Sequence, residues 1–312
     1  MGKRRKRYRV RSVKAAIAVL VIAFLLITAN EFLRIPQIPT WNQLLTQSGL
    51  KGSEPLPDSQ LRITVLDVGN ADCILLENKG EYALIDAGEN EDGDDIVTYL
   101  RQQDIGQLDY VIATHADSDH IGGMDEVVEA MKIDTFMMSF MPEGYTPTTR
   151  TYENLLNALV DKEITPLEPK HGDIFEFGDA EIEILSGLSD HNSTNEQSIV
   201  CRITFGNNRF LMMGDAGKEV EEELLEAKVD LSADVLKVGH HGSRYSSTKA
   251  FMYAVSPSYA VIPCGLGNSY NHPHEETLEV LKRVNAQVYR SDLDGDVTMV
   301  SDGKTITITT EK

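Results

Sequence analysis

Alternating apolar and polar residues divide the chain into short elements from residue 61 onward. Residues 61–66 alternate, and the apolar runs 73–76 and 82–85 are bounded by Gly and Asn turns, so three successive strands are predicted. Stretches with helical periodicity follow at residues 94–103, 124–131, 149–161, 218–227 and 275–284. We therefore expect an α/β domain that extends from residue 61 to residue 312.

The two halves of this domain share a local pattern. Leu84-Ile85-Asp86-Ala87-Gly88 ends a predicted strand in an acid and a small-residue turn, and Met212-Met213-Gly214-Asp215-Ala216-Gly217 does the same. Further strands are predicted near residues 164–167 and 234–238. Two similar β/α halves predict two sheets packed face to face with helices outside. Ligand-type side chains would then collect along one edge, where the strands end.

The first 60 residues have a different composition. Residues 1–14 contain eight Lys and Arg, residues 15–33 are largely apolar, and residues 34–60 contain four prolines and no sustained period. A basic segment before an apolar run is typical of a signal anchor or a signal peptide, and the poor cleavage site Ile27-Thr28-Ala29 favours the uncleaved anchor. The positive-inside rule places residues 1–14 in the cytoplasm and the domain outside the cell, and cleavage would make the domain a secreted protein. We expect residues 34–60 to be a linker.

Charge and cysteine content limit the classes of function. The formal net charge is -20, and because residues 1–14 contribute positive charge, the rest of the chain carries about -28. Such a body repels polyanions at long range unless metal ions or a local basic patch intervene. The three cysteines, Cys73, Cys201 and Cys264, are too few and too far apart for a disulfide framework, and we expect buried free thiols.

The densest group of reactive side chains is His115-Ala116-Asp117-Ser118-Asp119-His120, followed by Gly122-Gly123. It comes directly after the apolar run 110–113, so a strand that ends there would present His115, Asp117 and Asp119 at alternate positions. Imidazole nitrogens and carboxylate oxygens are ligands of divalent metals, and two ions about 3.5–4 Å apart need a cluster this dense. The spacing therefore predicts a metal site.

Two later stretches also contain candidate site residues. Gly239-His240-His241-Gly242-Ser243 follows a predicted strand, and the loop of residues 265–274 contains His272 and His274. Ser243, His272 and His274 are candidates for holding a phosphoryl or carbonyl oxygen. Packing behind the site is an equal alternative for all three, because loop histidines are often solvated or capping groups.

These stretches together resemble the metallo-β-lactamase superfamily. More narrowly, Leu66-Asp67-Val68-Gly69-Asn70-Ala71-Asp72, Lys237-Val238-Gly239-His240-His241-Gly242-Ser243 and Asn268-x-Tyr270-x-His272-Pro273-His274 resemble the extracellular hydrolase domain of ComEC-family competence proteins. Those proteins contain this domain after a multi-span channel, whereas this sequence has one apolar segment. The resemblance implies a four-layer αββα sandwich, here behind a single N-terminal membrane anchor.

The resemblance also implies a site for two divalent ions. Six ligands are expected: His115 and Asp117 for one ion, Asp119 and His120 for the other, Asp215 between them, and His240 completing the second ion. His240 is preferred to His241 because it comes first after the strand, and His241 could then face the substrate. Asp86 would orient the motif loop without binding metal.

The sequence departs from the familiar superfamily pattern at two places. Asp117 stands where many members have a second histidine, and residues 185–200 contain no clear third-motif histidine. His191 lies there in a polar loop, so Asn195 or Ser198 is expected to face the site instead. Carboxylate in place of imidazole favours harder ions, so Mn²⁺ and Mg²⁺ become plausible beside Zn²⁺.

The expected activity is hydrolysis by a metal-bridged hydroxide, with Asp119 orienting the water and accepting its proton. The resemblance implies a phosphodiesterase or nuclease acting on DNA, but the acidic body disfavours tight DNA binding. A nucleotide, or a choline-phosphate or teichoic-acid unit of the cell envelope, suits the charge better. Hydrolysis of lactone or β-lactam acyl bonds is a second alternative. A non-enzymatic metal-binding module ranks last, and the sequence indicates no oligomeric state.

Overall fold

A computed structural model describes residues 23–24, 26–28 and 56–312. The expected basic segment of residues 1–14 and most of the expected anchor and linker lie outside these residues. Among the residues described, no helix is both long and apolar enough to cross a membrane. Residues 56–101 and 105–312 form one compact unit.

Fourteen strands within residues 56–312 form two seven-stranded sheets. The strands are β1 (Leu61–Val65), β2 (Ile74–Asn78), β3 (Glu81–Ile85), β4 (Gln107–Ala113), β5 (Lys132–Met138), β6 (Ile174–Phe177), β7 (Ala180–Ile184), β8 (Cys201–Phe205), β9 (Asn208–Met212), β10 (Val235–Lys237), β11 (Tyr259–Ile262), β12 (Gln287–Arg290), β13 (Val297–Ser301) and β14 (Ile306–Thr310). The first sheet has the order β14-β13-β1-β2-β3-β4-β5, and the second has the order β12-β11-β10-β9-β8-β7-β6. Each half of the domain therefore supplies most of one sheet.

Eight α-helices connect the strands within the same residues. They are α1 (Gly93–Gln102), α2 (Ser118–Ile121), α3 (Met124–Ala130), α4 (Arg150–Asp161), α5 (Lys218–Glu226), α6 (Lys249–Val255), α7 (Glu275–Arg283) and α8 (Ser291–Asp294). Two 3₁₀ turns, Asn195–Gln197 and Gly239–Gly242, lie next to predicted site residues.

The buried side chains form three apolar layers. Because successive residues of a strand point to opposite faces, Leu84 of β3 packs toward helices α1, α3 and α4, whereas Ile85 packs between the sheets. Likewise, Leu211 of β9 faces the helices on the other side of the domain, and Met212 faces the first sheet. These strands are buried on both faces, which explains their continuous apolar runs. The predicted αββα layering is thereby confirmed.

Strand direction places the candidate chemistry at one edge of each sheet. Strands β3, β4 and β5 are parallel in the first sheet, and β9 to β12 are parallel in the second. Asp86 follows β3, His115 follows β4, Asp215 follows β9 and His240 follows β10. Ligands of open α/β sheets bind beyond the carboxyl ends of such strands.

Some sequence predictions about the elements need correction. The strand predicted near residues 164–167 is wrong, because only an isolated bridge joins Leu167 to Met137. Pro166 and Pro169 lack the N–H groups that a ladder requires. Helix α6 was not predicted, although the side chain of its N-cap Thr248 accepts a hydrogen bond from the Phe251 amide. The three cysteines are buried free thiols, as expected.

Candidate metal centre and cleft

The loop after β4 is held close to the loop after β3 by the backbone. The Ala87 amide donates to the His120 carbonyl at 2.7 Å, and the Gly123 amide donates to the Ala87 carbonyl at 3.1 Å. A Cβ on Gly123 would lie 2.5 Å from the Cα of Gly93, and one on Gly122 would overlap the backbone of Glu89. The Gly-Gly pair is therefore needed for this close approach and not for a left-handed turn, since both residues have negative φ.

His120 lies between two groups of acids. Its Nδ1 is 2.8 Å from Oδ2 of Asp86, and its Nε2 is 3.2 Å from Oδ1 of Asp215. Asp86 also accepts hydrogen bonds from the amide and the hydroxyl of Thr114, at 2.8 and 2.7 Å. A carboxylate that accepts from Nδ1–H leaves the Nε2 lone pair directed at Asp215, as a metal ligand requires. Asp86 thus contacts a motif histidine, where the family resemblance leads us to expect an orienting acid.

His241 has the same arrangement. Its Nδ1 lies 3.0 Å from the carbonyl oxygen of Pro263, and its Nε2 lies 3.4 Å from Asp119 and 3.5 Å from Asp215. Because the backbone carbonyl can only accept, Nδ1 holds a proton, and in the neutral imidazole Nε2 then presents the lone pair. In the neutral state both imidazoles direct Nε2 toward the same space. Burial lowers the pKa of each ring, but the charges of Asp215 and the other nearby acids outweigh burial and raise it.

Four side chains form one group at this point. Asp119, His120, Asp215 and His241 each offer a ligand atom, and these atoms all lie within 4.8 Å of one another. Within the described residues, Nε2 of His120, Nε2 of His241 and Oδ1 of Asp215 are buried without a hydrogen-bond partner. Buried polar atoms without partners are costly, and a divalent cation satisfies nitrogen and carboxylate ligands together. The residues present fit a metal ion.

A second pair extends this group. His115 Nε2 is also buried without a hydrogen-bond partner among the described residues, and it lies 3.6 Å from Oδ2 of Asp117. The His115 ring lies 4.0 Å from the His120 ring, measured between centroids. The run from His115 to His120 therefore presents two neighbouring sets of ligand atoms. His115 and Asp117 form one set, and Asp119 and His120 belong to the other.

The structure favours His241 over His240 for the ligand position. His240 Nε2 is 3.8 Å from Asp215 and lies outside the group of four, next to the amide of Asn195 at 3.4 Å. The sequence preference for His240 assumed that the first residue after the strand faces the site. Both residues instead have left-handed backbone, with φ of 50° and 51°, and this turn directs the second imidazole into the cluster.

The ion pair between Lys237 and Asp72 was not predicted as part of the site. Nζ of Lys237 contacts Asp72, donates to the Gly214 carbonyl at 2.7 Å and lies 3.8 Å from Asp215. Burial lowers the pKa of Lys237, but the charges of Asp72 and Asp215 outweigh this effect and raise it. Asp72 also lies 3.5 Å from His241 Nδ1. A lysine within the otherwise apolar strand β10 was the available sequence signal.

The ligand group opens into a cleft of about 590 Å³. Its walls include Asn70, Asn90, Asp117, Asp119, Thr149, Thr151, Asn195, Asp215, His240, His241, Tyr270 and His272. Asp119 is 24% exposed here. Burial raises the pKa of Asp119, but the hydrogen bond from His241 and the charge of His120 lower it to about 2.

Of the other predicted site residues, one lines the cleft and two pack outside it. His272 is on the cleft wall, and burial together with the neighbouring His241 lowers its pKa to about 4. His274 and Ser243 do not line the cleft, which favours the packing alternative for both. The Nδ1 of His274 accepts from the Arg244 amide at 3.1 Å, and Ser243 is buried.

Ser198 and His191 both belong to residues 185–200, the stretch that corresponds to the third motif, but they lie in different surroundings. The Ser198 hydroxyl accepts from the Asp215 amide at 3.1 Å and so positions the loop that contains Asp215. His191 is not a member of the ligand group and pairs with Glu223 at 3.3 Å. Among residues 185–200, only Asn195 lines the cleft.

Comparison with known proteins identifies the class. The sequence profile of the metallo-beta-lactamase superfamily matches residues 66–265, and the chain belongs to this superfamily, whose fold is that of metal-dependent hydrolases. The B. subtilis protein YhfI, a metallo-beta-lactamase fold protein, has a similar structure with a TM-score of 0.52 and 12% identity, covering 80% of this chain and 99% of that one. At this identity the likeness shows the fold alone.

Within the superfamily the chain is close to ComEC-like competence proteins. It is 34% identical over 203 residues to ComE operon protein 3 of Bacillus subtilis (strain 168), covering 65% of this chain and 26% of that protein. It is 28% identical over 289 residues to competence protein ComA of Neisseria gonorrhoeae, covering 90% of this chain and 38% of that protein. The chain therefore spans well under half the length of both relatives.

Proposed function

We propose that this protein is an extracellular, membrane-anchored phosphodiesterase that depends on divalent metal ions. The main support is the convergence of Asp119, His120, Asp215 and His241, whose ligand atoms lie within 4.8 Å of one another. The two imidazole Nε2 atoms in this group are buried and have no hydrogen-bond partner among the described residues. A hydrolase of this superfamily needs such a centre, and a purely structural cluster would pair these atoms with protein groups.

The proposed ligand assignment combines the distances with the family resemblance. His115 and Asp117 would hold one ion, and Asp119, His120 and His241 would hold the other. By the resemblance, Asp215 would contact both. A pair of divalent ions would lower the pKa of a bound water and stabilise charge on the oxygens of a phosphoryl group. Zn²⁺ and Mn²⁺ suit this mixed set, and the carboxylate of Asp117 also makes Mg²⁺ suitable.

The chain's own residues would perform the remaining steps. Asp119 is ionised at neutral pH, because its pKa is lowered to about 2, and its carboxylate reaches the cleft. It can therefore orient the attacking water, but a carboxylate this acidic is a weak base, so the metal ions would have to make the water acidic. His272 is neutral at pH 7, because its pKa is lowered to about 4, and it can donate a hydrogen bond to a phosphoryl oxygen from the cleft wall. Asp86 fixes the orientation of His120.

The charge distribution supports short phosphodiesters over long duplex DNA. Among the described residues that line the cleft, none is a Lys or Arg. Tight non-specific DNA binding normally needs several such residues along the phosphate backbone. The name of one relative, competence protein ComA, refers to competence, so DNA belongs among the substrates to test, together with nucleotides and envelope phosphodiesters. Lactone or β-lactam hydrolysis by the same centre is the alternative.

The proposed location follows from the first residues of the sequence. Residues 1–14 are basic and residues 15–33 are apolar, as in a signal anchor. We place residues 1–14 in the cytoplasm and the hydrolase domain outside. Fractionation of cells that produce a tagged full-length chain, with protease treatment of intact cells, would test this placement.

One panel of assays tests the activity. The wild-type chain, Asp119→Ala and the control Asp95→Ala, an exposed acid on α1, are assayed with Mn²⁺, Mg²⁺ or Zn²⁺. The substrates are bis-p-nitrophenyl phosphate, single- and double-stranded DNA, and the β-lactam nitrocefin. We expect phosphodiester hydrolysis that falls at least about a hundredfold in Asp119→Ala and is unchanged in Asp95→Ala. Phosphodiester activity that persists in Asp119→Ala, or hydrolysis of nitrocefin alone, would overturn the proposal.

A further inference from the structure

Three aromatic rings form a column from the ligand group to the solvent. The ring of His272 lies parallel to that of His241, with centroids 6.2 Å apart and an interplanar angle of 20°. The Tyr270 ring lies parallel to His272, with centroids 5.5 Å apart and an angle of 21°. His241 belongs to the ligand group, and Tyr270 lines the same cleft and is 64% exposed. The column therefore ends in an aromatic surface that is open to a ligand.

The loop that presents Tyr270 is held in place by one side chain. Nδ2 of Asn268 donates to the carbonyls of Gly265 and His272, at 2.9 and 2.7 Å, and its Oδ1 accepts from the His272 amide at 2.9 Å. Gly265 also packs closely against the turn between β1 and β2, since a Cβ there would lie 2.9 Å from the Asn70 nitrogen. A ring on such a fixed loop loses little conformational freedom when it binds a ligand.

The composition of the cleft indicates which contacts remain for the substrate. The metal centre would hold the phosphate, but the described lining residues include no Lys or Arg to bind neighbouring phosphates. The part of the substrate beyond the scissile phosphate must then be held by uncharged contacts. Asn70, Asn90 and Asn195 supply hydrogen-bonding groups, and Tyr270 supplies a flat apolar face. Stacking of a base on such a face does not depend on cationic residues.

We propose that Tyr270 is a stacking residue for a nucleobase, so that the substrate of this site is a single-stranded nucleotide phosphodiester. The inference rests on the proposed phosphodiesterase function and specifies its substrate class. Bases inside a duplex are already stacked on their neighbours and do not present a free face to Tyr270. Two ring-to-ring steps separate Tyr270 from His241, so the stacked base belongs to the part of the substrate that extends toward the solvent.

Steady-state kinetics of the full chain with Mn²⁺ tests this inference. The substrates are a short oligothymidylate and an abasic oligonucleotide of the same length, and the variants are Tyr270→Ala, Tyr270→Phe and Tyr253→Ala. Tyr253 is the matched control, because it is 61% exposed on α6 and does not line the cleft. Tyr270→Ala should raise KM for oligothymidylate about tenfold or more, with kcat changed by less than about twofold. Tyr270→Phe and Tyr253→Ala should behave as the wild type.

The abasic substrate separates stacking from a general effect on the cleft. Without a base, the wild type should already have a raised KM, and Tyr270→Ala should raise it no further. Wild-type turnover with an equal KM for oligothymidylate in Tyr270→Ala would overturn the inference alone. An equal loss on both substrates would also overturn it, because the residue would then only support the cleft. No turnover of either substrate by the wild type would overturn the proposed function and the inference with it.

Discussion

The ammonium group of Lys237 and the carboxylate of Asp72 form an ion pair in which each side chain is 1% exposed. The pair lies directly behind the candidate ligands, since Asp72 is 3.5 Å from His241 Nδ1 and Lys237 is 3.8 Å from Asp215. A site with this many buried acids needs positive charge to remain ionised, and Lys237 supplies it from the strand below. The lysine therefore supports the site and does not contact the cleft.

Removal of Lys237 should destabilise the fold. Lys237→Met leaves Asp72 buried without its lysine partner, and breaking a buried pair typically costs about 3–5 kcal/mol. Urea unfolding with a chelator present measures this loss. Lys79→Met is the control, because Lys79 pairs with Asp179 on the surface, where an ion pair contributes little to stability. Equal losses in the two variants would contradict the role assigned to the buried pair.

The two adjacent histidines should differ in metal binding. His241→Ala removes an imidazole whose Nε2 lies 3.4 Å from Asp119, so we expect metal affinity to fall at least about tenfold. His240→Ala removes a ring outside the group of four, and we expect little change in affinity. Competition of each metal-free variant with a chromophoric chelator for Zn²⁺ measures both. A larger loss in His240→Ala than in His241→Ala would restore the original sequence preference.

Glu126 should make stability depend on pH. It lies in the first turn of α3, its Oε2 is buried, and burial together with Asp125 raises its pKa from 4.5 to about 7. Between these values the unfolded chain loses the proton that the folded chain keeps, so this residue's contribution to stability falls as pH rises from 4.5 to 7. After allowance for solvent screening, the loss is about 1 kcal/mol.

Urea unfolding at pH 5 and pH 8 tests the effect of Glu126. Glu126→Gln should lose less stability between the two values than the wild type. Glu129→Gln, an exposed acid on the same helix, should match the wild type. The interpretation is wrong if all three proteins show the same difference.

The sequence predicted the parts of the structure that depend on local pattern. Strand alternation and helical periodicity indicated the αββα layers, because a strand or helix that is buried on one or two faces has apolar residues at a regular spacing. The run from His115 to His120 indicated one side of the candidate centre, because its ligand-type residues are neighbours in the sequence. Asp86 could be placed behind it through the family resemblance.

The remaining features depend on contacts that residue order does not show. Lys237 can be buried because Asp72, from the other half of the domain, and the Gly214 carbonyl lie against it. The choice between His240 and His241 depends on two left-handed residues, which no local signal predicted. Tyr270 belongs to one of the sequence motifs, but its proposed role depends on the parallel ring of His272.

The most direct test of the account is calorimetric titration of the metal-free full-length chain with Mn²⁺ or Zn²⁺. Asp215 is proposed to contact both ions, and its Oδ1 and Oδ2 lie 3.2 and 3.5 Å from the Nε2 atoms of His120 and His241. We expect the wild type to bind two ions per chain and Asp215→Asn to bind at least about tenfold more weakly. A wild-type chain that binds no divalent ion, or an Asp215→Asn variant with unchanged affinity, would contradict the account.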